Sequence, residues 1–250
     1  MTACDGRVPE CWGRADVSLA VLALLLLPVG CGAPPIPYDR AAGAPVATVG
    51  FLTPSMSDRP TVFVWGGPGQ MFGLVGAIAE AAVLSAREAR LVEALASRQF
   101  AARPLFIERV SAAIGAQGYR VVPVAVERTK RDFLESYGGL PAGPDAWLDC
   151  FFVEWGYLAA GVGDSTPYRP YANVTCRLVR AADGTVLMRD RVIYNWPLGR
   201  PPPNPVITIP PDPQYSFVTS DQLVADPERA VQGIDAAFRA AAEAFGTVLK

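Results

Sequence analysis

The chain has 250 residues, a formal net charge of −2 and no histidine, with 51% hydrophobic and 18% charged residues. Without imidazole it cannot build a Ser-His-Asp or Cys-His nucleophile, a His-ligated zinc site, or a base whose ordinary pKa lies near neutrality. The balanced charge, with no basic cluster in the sequence, excludes nucleic acid as the expected partner.

Residues 17–32 read VSLAVLALLLLPVGCG. Val17 to Val29 is largely apolar, Gly30 is small, and Cys31 is followed by Gly32-Ala33-Pro34-Pro35. A run this short cannot span a bilayer as a helix; it suits a signal h-region or a buried core helix. Val29-Gly30-Cys31 resembles the lipobox of bacterial lipoproteins, with Pro28 where leucine is usual. That resemblance implies a signal peptide over residues 1–30, lipidation of Cys31, and attachment to a membrane through that N-terminal lipid. Gly32, in place of Asp, implies an outer-membrane lipoprotein facing the periplasm. The side chains of residues 1–16 sum to −1 (Asp5, Arg7, Glu10, Arg14, Asp16), whereas a secretory n-region is positive. A later start, or Arg14 with the terminal amine, reconciles the two. Cleavage would leave a chain of net charge −1, whose membrane affinity comes from the lipid. Residues 31–45, rich in Pro and Ala, are expected to be a flexible tether. Residues 46–250 are long enough for a full core and are expected to form a single periplasmic domain.

Val46 to Leu52 and Thr61 to Trp65 are rich in β-branched and aromatic residues and bounded by turn residues, so both read as strands. Gly66-Gly67-Pro68-Gly69 ends the second. With Gly73 the spacing is GxGxxxG, and no Lys-Ser/Thr follows, so tight turning and close packing explain these glycines better than a phosphate loop does. Met71 to Gln99 has no proline and reads as one long helix or two short ones. Its first part, Met71 to Ala86, carries Glu80 as its only charge and faces either the core or a lipid or protein partner. Pro104 opens a helix closed by Gly118, and Tyr119 to Val126 is a strand whose Pro123 suggests an edge or a bulge. Thr129 with Asp132 could cap a short helix through Tyr137. Asp226 and Pro227 open the last helix. Val231, Ile234, Ala237, Phe238, Ala241, Phe245 and Val248 recur along one of its faces.

Between these lie strand-like runs at Ala146 to Tyr157, Tyr168 to Arg180 and Thr185 to Trp196, expected as an antiparallel meander. A hairpin centred on Gly163 sets Cys150 opposite Cys176, Phe152 opposite Val174 and Trp155 opposite Tyr171. Cys4 and Cys11 would leave with the leader, so Cys150 and Cys176 are expected to form a disulfide in an oxidising compartment; two buried thiols are the alternative. Alternation puts Phe151, Val153, Trp155 and Tyr157 on one face with Tyr171 opposite. A helix covers that face, or it is an open aromatic contact surface. Asp149 and Glu154 differ in parity and cannot pair along the strand; solvated surface acids are the default, with a half-buried Glu154 on the face of Cys150 and Phe152 as the alternative. Pro197 to Pro213, with eight prolines in 17 residues, reads as a polyproline recognition arm, a candidate contact surface, or as a long packed loop.

Together the elements predict an α/β fold of the α+β kind. A mixed, mostly antiparallel sheet is packed with helices, among them the C-terminal amphipathic helix. Three segments, Gly118-Tyr119-Arg120-Val121-Val122, Asp145-Ala146-Trp147-Leu148 and Leu178 to Leu187 (LVRAADGTVL), resemble the envelope lipoproteins that include the curli-secretion and penicillin-binding-protein-activator lipoproteins. The likeness is one of structure and carries over no catalytic residue. The expected role is non-enzymatic: a binding or assembly accessory of the cell envelope with an envelope protein partner, no cofactor and no metal. A carboxylate-dependent envelope hydrolase and a purely structural tether are the alternatives.

Overall fold

The computed structural model describes residues 34–41, 45–65, 73–161, 166–199, 202 and 206–250. The expected signal peptide, Cys31, the Gly66–Gly69 loop, Gly163 and residues 200, 201 and 203–205 of the Pro-rich arm lie outside them. Residues 35–250 form one unit, and residues 1–34 are counted apart from it. Seven strands and four helices occur among the described residues. In chain order they are β1 (Thr48–Leu52), β2 (Thr61–Val64), α1 (Gly73–Ala96), α2 (Ala102–Gly115), β3 (Arg120–Val124), β4 (Ala146–Ala159), β5 (Arg169–Arg180), β6 (Val186–Tyr194), β7 (Ile207–Ile209), α3 (Ser220–Ala225) and α4 (Pro227–Val248).

The strands make one mixed sheet in the order β3-β1-β4-β5-β6-β7, with β2 paired to β4 beyond the end of β1. The antiparallel β4–β5 and β5–β6 ladders are the longest and form the expected meander. Shorter parallel ladders join β1 to β3 and β4, β2 to β4, and β6 to β7. The class is therefore α/β, as composition and pattern predict. Pro123 sits in β3, which among the described residues pairs with β1 alone, so its missing N–H costs little.

Helix α4 starts where the sequence says it should: the Asp226 carboxylate accepts from the Arg229 backbone N–H, and Pro227 takes the first turn. Its apolar stripe buries Ile234, Ala237, Phe238, Ala241 and Phe245 against the sheet. Phe238 closes an aromatic cluster with Phe106, Phe152 and Trp155, at ring-centroid distances of 5.5, 5.4 and 5.9 Å.

In the β4–β5 ladder Cys150 faces Cys176 and Phe152 faces Val174, as expected, and the two cysteines are joined by a disulfide. The register then shifts, because Val153 is an extra residue: Glu154 faces Asn173, and Trp155 faces Ala172 instead of Tyr171. A one-residue bulge reverses the alternation beyond it. Ala146, Leu148, Cys150 and Phe152 point to the helices, and after the bulge so do Trp155, Tyr157 and Ala159. The gain is a buried place for two large rings, with Trp155 Nε1 donating to Ser57 O (2.8 Å) and Tyr157 Oη to Ala230 O (3.0 Å). Gly156 follows at φ +139°, and a Cβ there would strike the backbone of Thr61 in β2.

The stretch expected to be a flexible tether is tied down in its described part. Ile36 and Arg189 of β6 exchange backbone hydrogen bonds of 2.8 and 2.9 Å, in an antiparallel bridge. Tyr38 packs on the core, and the Arg40 guanidinium lies 4.8 Å from the Tyr119 ring centroid. An isoleucine and a tyrosine within the Pro-rich stretch supply the apolar area that a solvated linker lacks. No helix among the described residues is long and apolar enough to cross a membrane.

Candidate functional site

Both β1 and β2 pair with the same edge of β4, but at different heights. Between them the edge opens at the Val153 bulge, leaving a cleft of about 210 Å³. Arg59, Glu88, Arg131, Val153, Glu154 and Trp155 line it. Burial pushes the Glu154 carboxyl above its ordinary value; Arg131 opposes that shift and Glu88 adds to it. A carboxyl that keeps its proton to higher pH, next to a second carboxylate and a guanidinium, is suited to hold a polar ligand or donate a proton. Because the folded-state pKa is raised, Glu154 favours folding at pH values below 4.5 and opposes it as pH rises through the folded value. Glu154→Gln is therefore expected to gain stability relative to the wild type as pH rises from about 4 to 7, read as urea midpoints across that range. Equal midpoint differences at all pH values would contradict the burial of this carboxyl. Asp190, also raised by burial, contributes its own slope in both proteins.

Asp149 is fully buried rather than a solvated acid. It lies on the sheet face away from the helices, under residues 128–137. Its carboxylate accepts from Arg128 Nη2 (2.6 Å), the Leu134 N–H (2.8 Å) and Tyr137 Oη (2.6 Å). Arg177 completes the shell: Nε donates to Tyr137 Oη and Nη2 to Leu134 O, both at 2.6 Å, while its plane covers the Phe133 ring at 4.2 Å. Burial, then the bond to Asp149, raises the Tyr137 phenol. These bonds hold residues 128–137 as an irregular strap, where a capped helix was expected. The backbone N–H of Leu134 turns inward to the carboxylate, away from any helical partner.

The five residues expected to form one contact face are divided. Trp155 and Tyr157 are buried beneath the helices, for the reason given by the bulge. Phe151 is half-buried on the opposite face, edge-on to Phe133 at 4.8 Å, and Tyr171 is buried there beside Leu158 and Ile193. Val153 alone is exposed, at 40%. Gly156 is the sequence signal that could have announced the bulge, since an isolated strand glycine often marks one.

Exposed apolar surface lies elsewhere. Helix α1 is anchored by buried Leu91 and Leu95 and by the ion pair Arg90–Asp221 (2.6 Å). Farther toward its N-terminus Ala81, Ala82, Val83, Ser85 and Ala86 are exposed, with Val83 at 49%. Trp65, at the end of β2, is 42% exposed. Among the described residues no group of three or more Cys, Asp or Glu is placed to hold a metal ion. The arm's Ile207–Ile209 is strand β7 on β6, and the Asp212 N–H donates to Tyr194 Oη (2.8 Å), so this part packs on its own sheet.

No protein-family model matches the chain, and no curated protein matches it. Among solved structures it is similar to protein XCC0632 from Xanthomonas campestris, whose crystal structure is described under the family model DUF330. The two share 12% identity at a TM-score of 0.41, over 87% of this chain and 92% of that one.

Proposed function

We propose that the chain is a lipid-anchored protein of the bacterial cell envelope, held in the outer membrane through Cys31 and facing the periplasm. There it binds a protein partner or helps assemble an envelope component. The lipobox-like Val29-Gly30-Cys31 supports the anchor. The disulfide at the centre of the sheet supports an oxidising compartment, where such bonds persist.

The observation that carries the binding role is the N-terminal half of α1. Residues 73–86 hold Glu80 as their only charge, and the described part of that stretch is largely exposed. A helix apolar on all sides is stable when something covers it, and uncovered apolar surface marks contact sites. The contact surface is accordingly α1, with Val153 and Trp65, in place of the aromatic strand face. A photo-crosslinking residue placed at Val83 in native membranes is expected to give a discrete protein adduct, while one at exposed Ala112 of α2 gives none. No adduct at Val83, or the same adducts at both, would overturn this role. The cleft with Glu88 and Glu154 favours a second reading, a carboxylate-dependent hydrolase of envelope substrates. Turnover of a cell-wall or lipid substrate that Glu154→Gln abolishes would establish it.

A further inference from the structure

Even charge in the sequence becomes uneven charge on the sheet. Met188, Val192 and Tyr194 of β6 point into the core, so Arg189 and Arg191 project from the face away from the helices. Arg177 stands directly across from Arg189 on β5. Like charges directly opposed on neighbouring strands repel. Arg177 is satisfied by Tyr137, the Leu134 carbonyl and Asp149, at 3.8 Å. Among the described residues Arg191 finds the neutral Asn173 Oδ1, which accepts from its Nε at 2.8 Å. Among the described residues Arg189 Nε is buried with no acceptor, and neither Arg189 nor Arg191 has an acid within ion-pair distance. Both side chains are half-buried, so the pair remains partly open to solvent.

The backbone of Arg189 is also where the N-terminal segment docks, through Ile36. Cys31 precedes Ile36 by five residues, so the chain can carry it at most about 17 Å from that bridge. A lipid on Cys31 would therefore tether the chain to a bilayer only a few residues from the strand that carries the two uncompensated guanidinium groups. Guanidinium can bind phosphate in a two-pronged fashion.

We propose that Arg189 and Arg191 receive the phosphate of an anionic phospholipid headgroup beside the N-terminal anchor, fixing which side of the domain faces the membrane. This rests on the lipoprotein reading. The test uses the full chain purified from its membranes, floated with vesicles of phosphatidylcholine alone or with phosphatidylglycerol added. Phosphatidylglycerol is expected to raise binding, and the gain to fall about fivefold for each arginine replaced in Arg189→Gln and Arg191→Gln. Arg189→Lys with Arg191→Lys should keep only part of the gain, because an ammonium keeps the charge and loses the two-pronged contact. Arg189→Gln should melt at the wild-type temperature or above, because it relieves the repulsion with Arg177, and Arg191→Gln, which faces Thr175, should melt near the wild-type temperature. A gain that the double glutamine variant retains overturns the proposal. So does stabilisation by inorganic phosphate, lost in that variant, with no difference between the two vesicles, which reassigns the arginines to a soluble anion. The N-terminal mass is read on the same sample. An unlipidated terminus overturns the lipoprotein reading, whereas a lipidated Cys31 with no gain from phosphatidylglycerol sinks the headgroup site alone.

Discussion

Asp149→Ala is expected to destabilise the protein by about 3–5 kcal/mol, the cost of leaving buried charge without its partner. The carboxylate is fully buried and accepts three hydrogen bonds, one from a guanidinium; a second guanidinium, Arg177, lies within 4 Å. Removing it strands Arg128 and Arg177, which are nearly as buried as Asp149, and frees the Leu134 N–H. Urea unfolding measures the loss, and limited proteolysis should show new cleavage between Arg128 and Tyr137, because that strap is held by this carboxylate. Replacing Asp149, Arg128 and Arg177 together by apolar residues of similar size should recover part of the loss, since a buried ion pair is often no better than apolar packing. The exposed pair Lys130–Glu135, equally short at 2.7 Å, is the contrast: Glu135→Gln should leave stability unchanged. A small effect of Asp149→Ala would mean that the strap and its network do not form.

The second large effect is that of the disulfide. Cys150 and Cys176 lie 26 residues apart in sequence, and closing a loop of that size restrains the unfolded chain by about 3–4 kcal/mol in the chain-entropy account. The double variant Cys150→Ala/Cys176→Ala is expected to lose about that much, with a little more for the volume removed from a buried position. Its urea midpoint should not respond to reductant, while that of the wild type should fall toward it. Identical midpoints for the oxidised and reduced wild type would show that the two sulfurs are not joined.

Most of the sheet and α4 could be read from the sequence because their signals are local. Asp226-Pro227 with a stripe at helical spacing defines a helix with few alternatives, and strand-rich runs separated by Asp183-Gly184 define a hairpin. The pairing of Cys150 with Cys176 followed from counting residues across a turn, and counting held as far as Phe152. It failed at Val153, because a bulge depends on what the strand gains by turning over: here a covered site for Trp155 and Tyr157 and a close approach of β2 to Gly156. From that single residue follow the division of the expected aromatic face and the opening of the Glu154 cleft.

Asp149 was illegible for another reason. A lone acid in a strand is usually solvated, and its partners Arg128, Leu134 and Tyr137 come from an irregular segment with no periodic signal. The uneven placement of Arg177, Arg189 and Arg191 likewise appears only when two strands are set in register. Helix α1 was readable as a helix but not in its surroundings. Its composition suits a core, yet its described N-terminal part is exposed.

The most direct test of the lipoprotein reading is the mass of the N-terminal peptide of the protein isolated from its own membranes. A peptide beginning at Cys31 and carrying lipid is the result expected. A protein that still carries residues 1–30, or one that begins at an unmodified residue, would contradict the anchor and with it the envelope role.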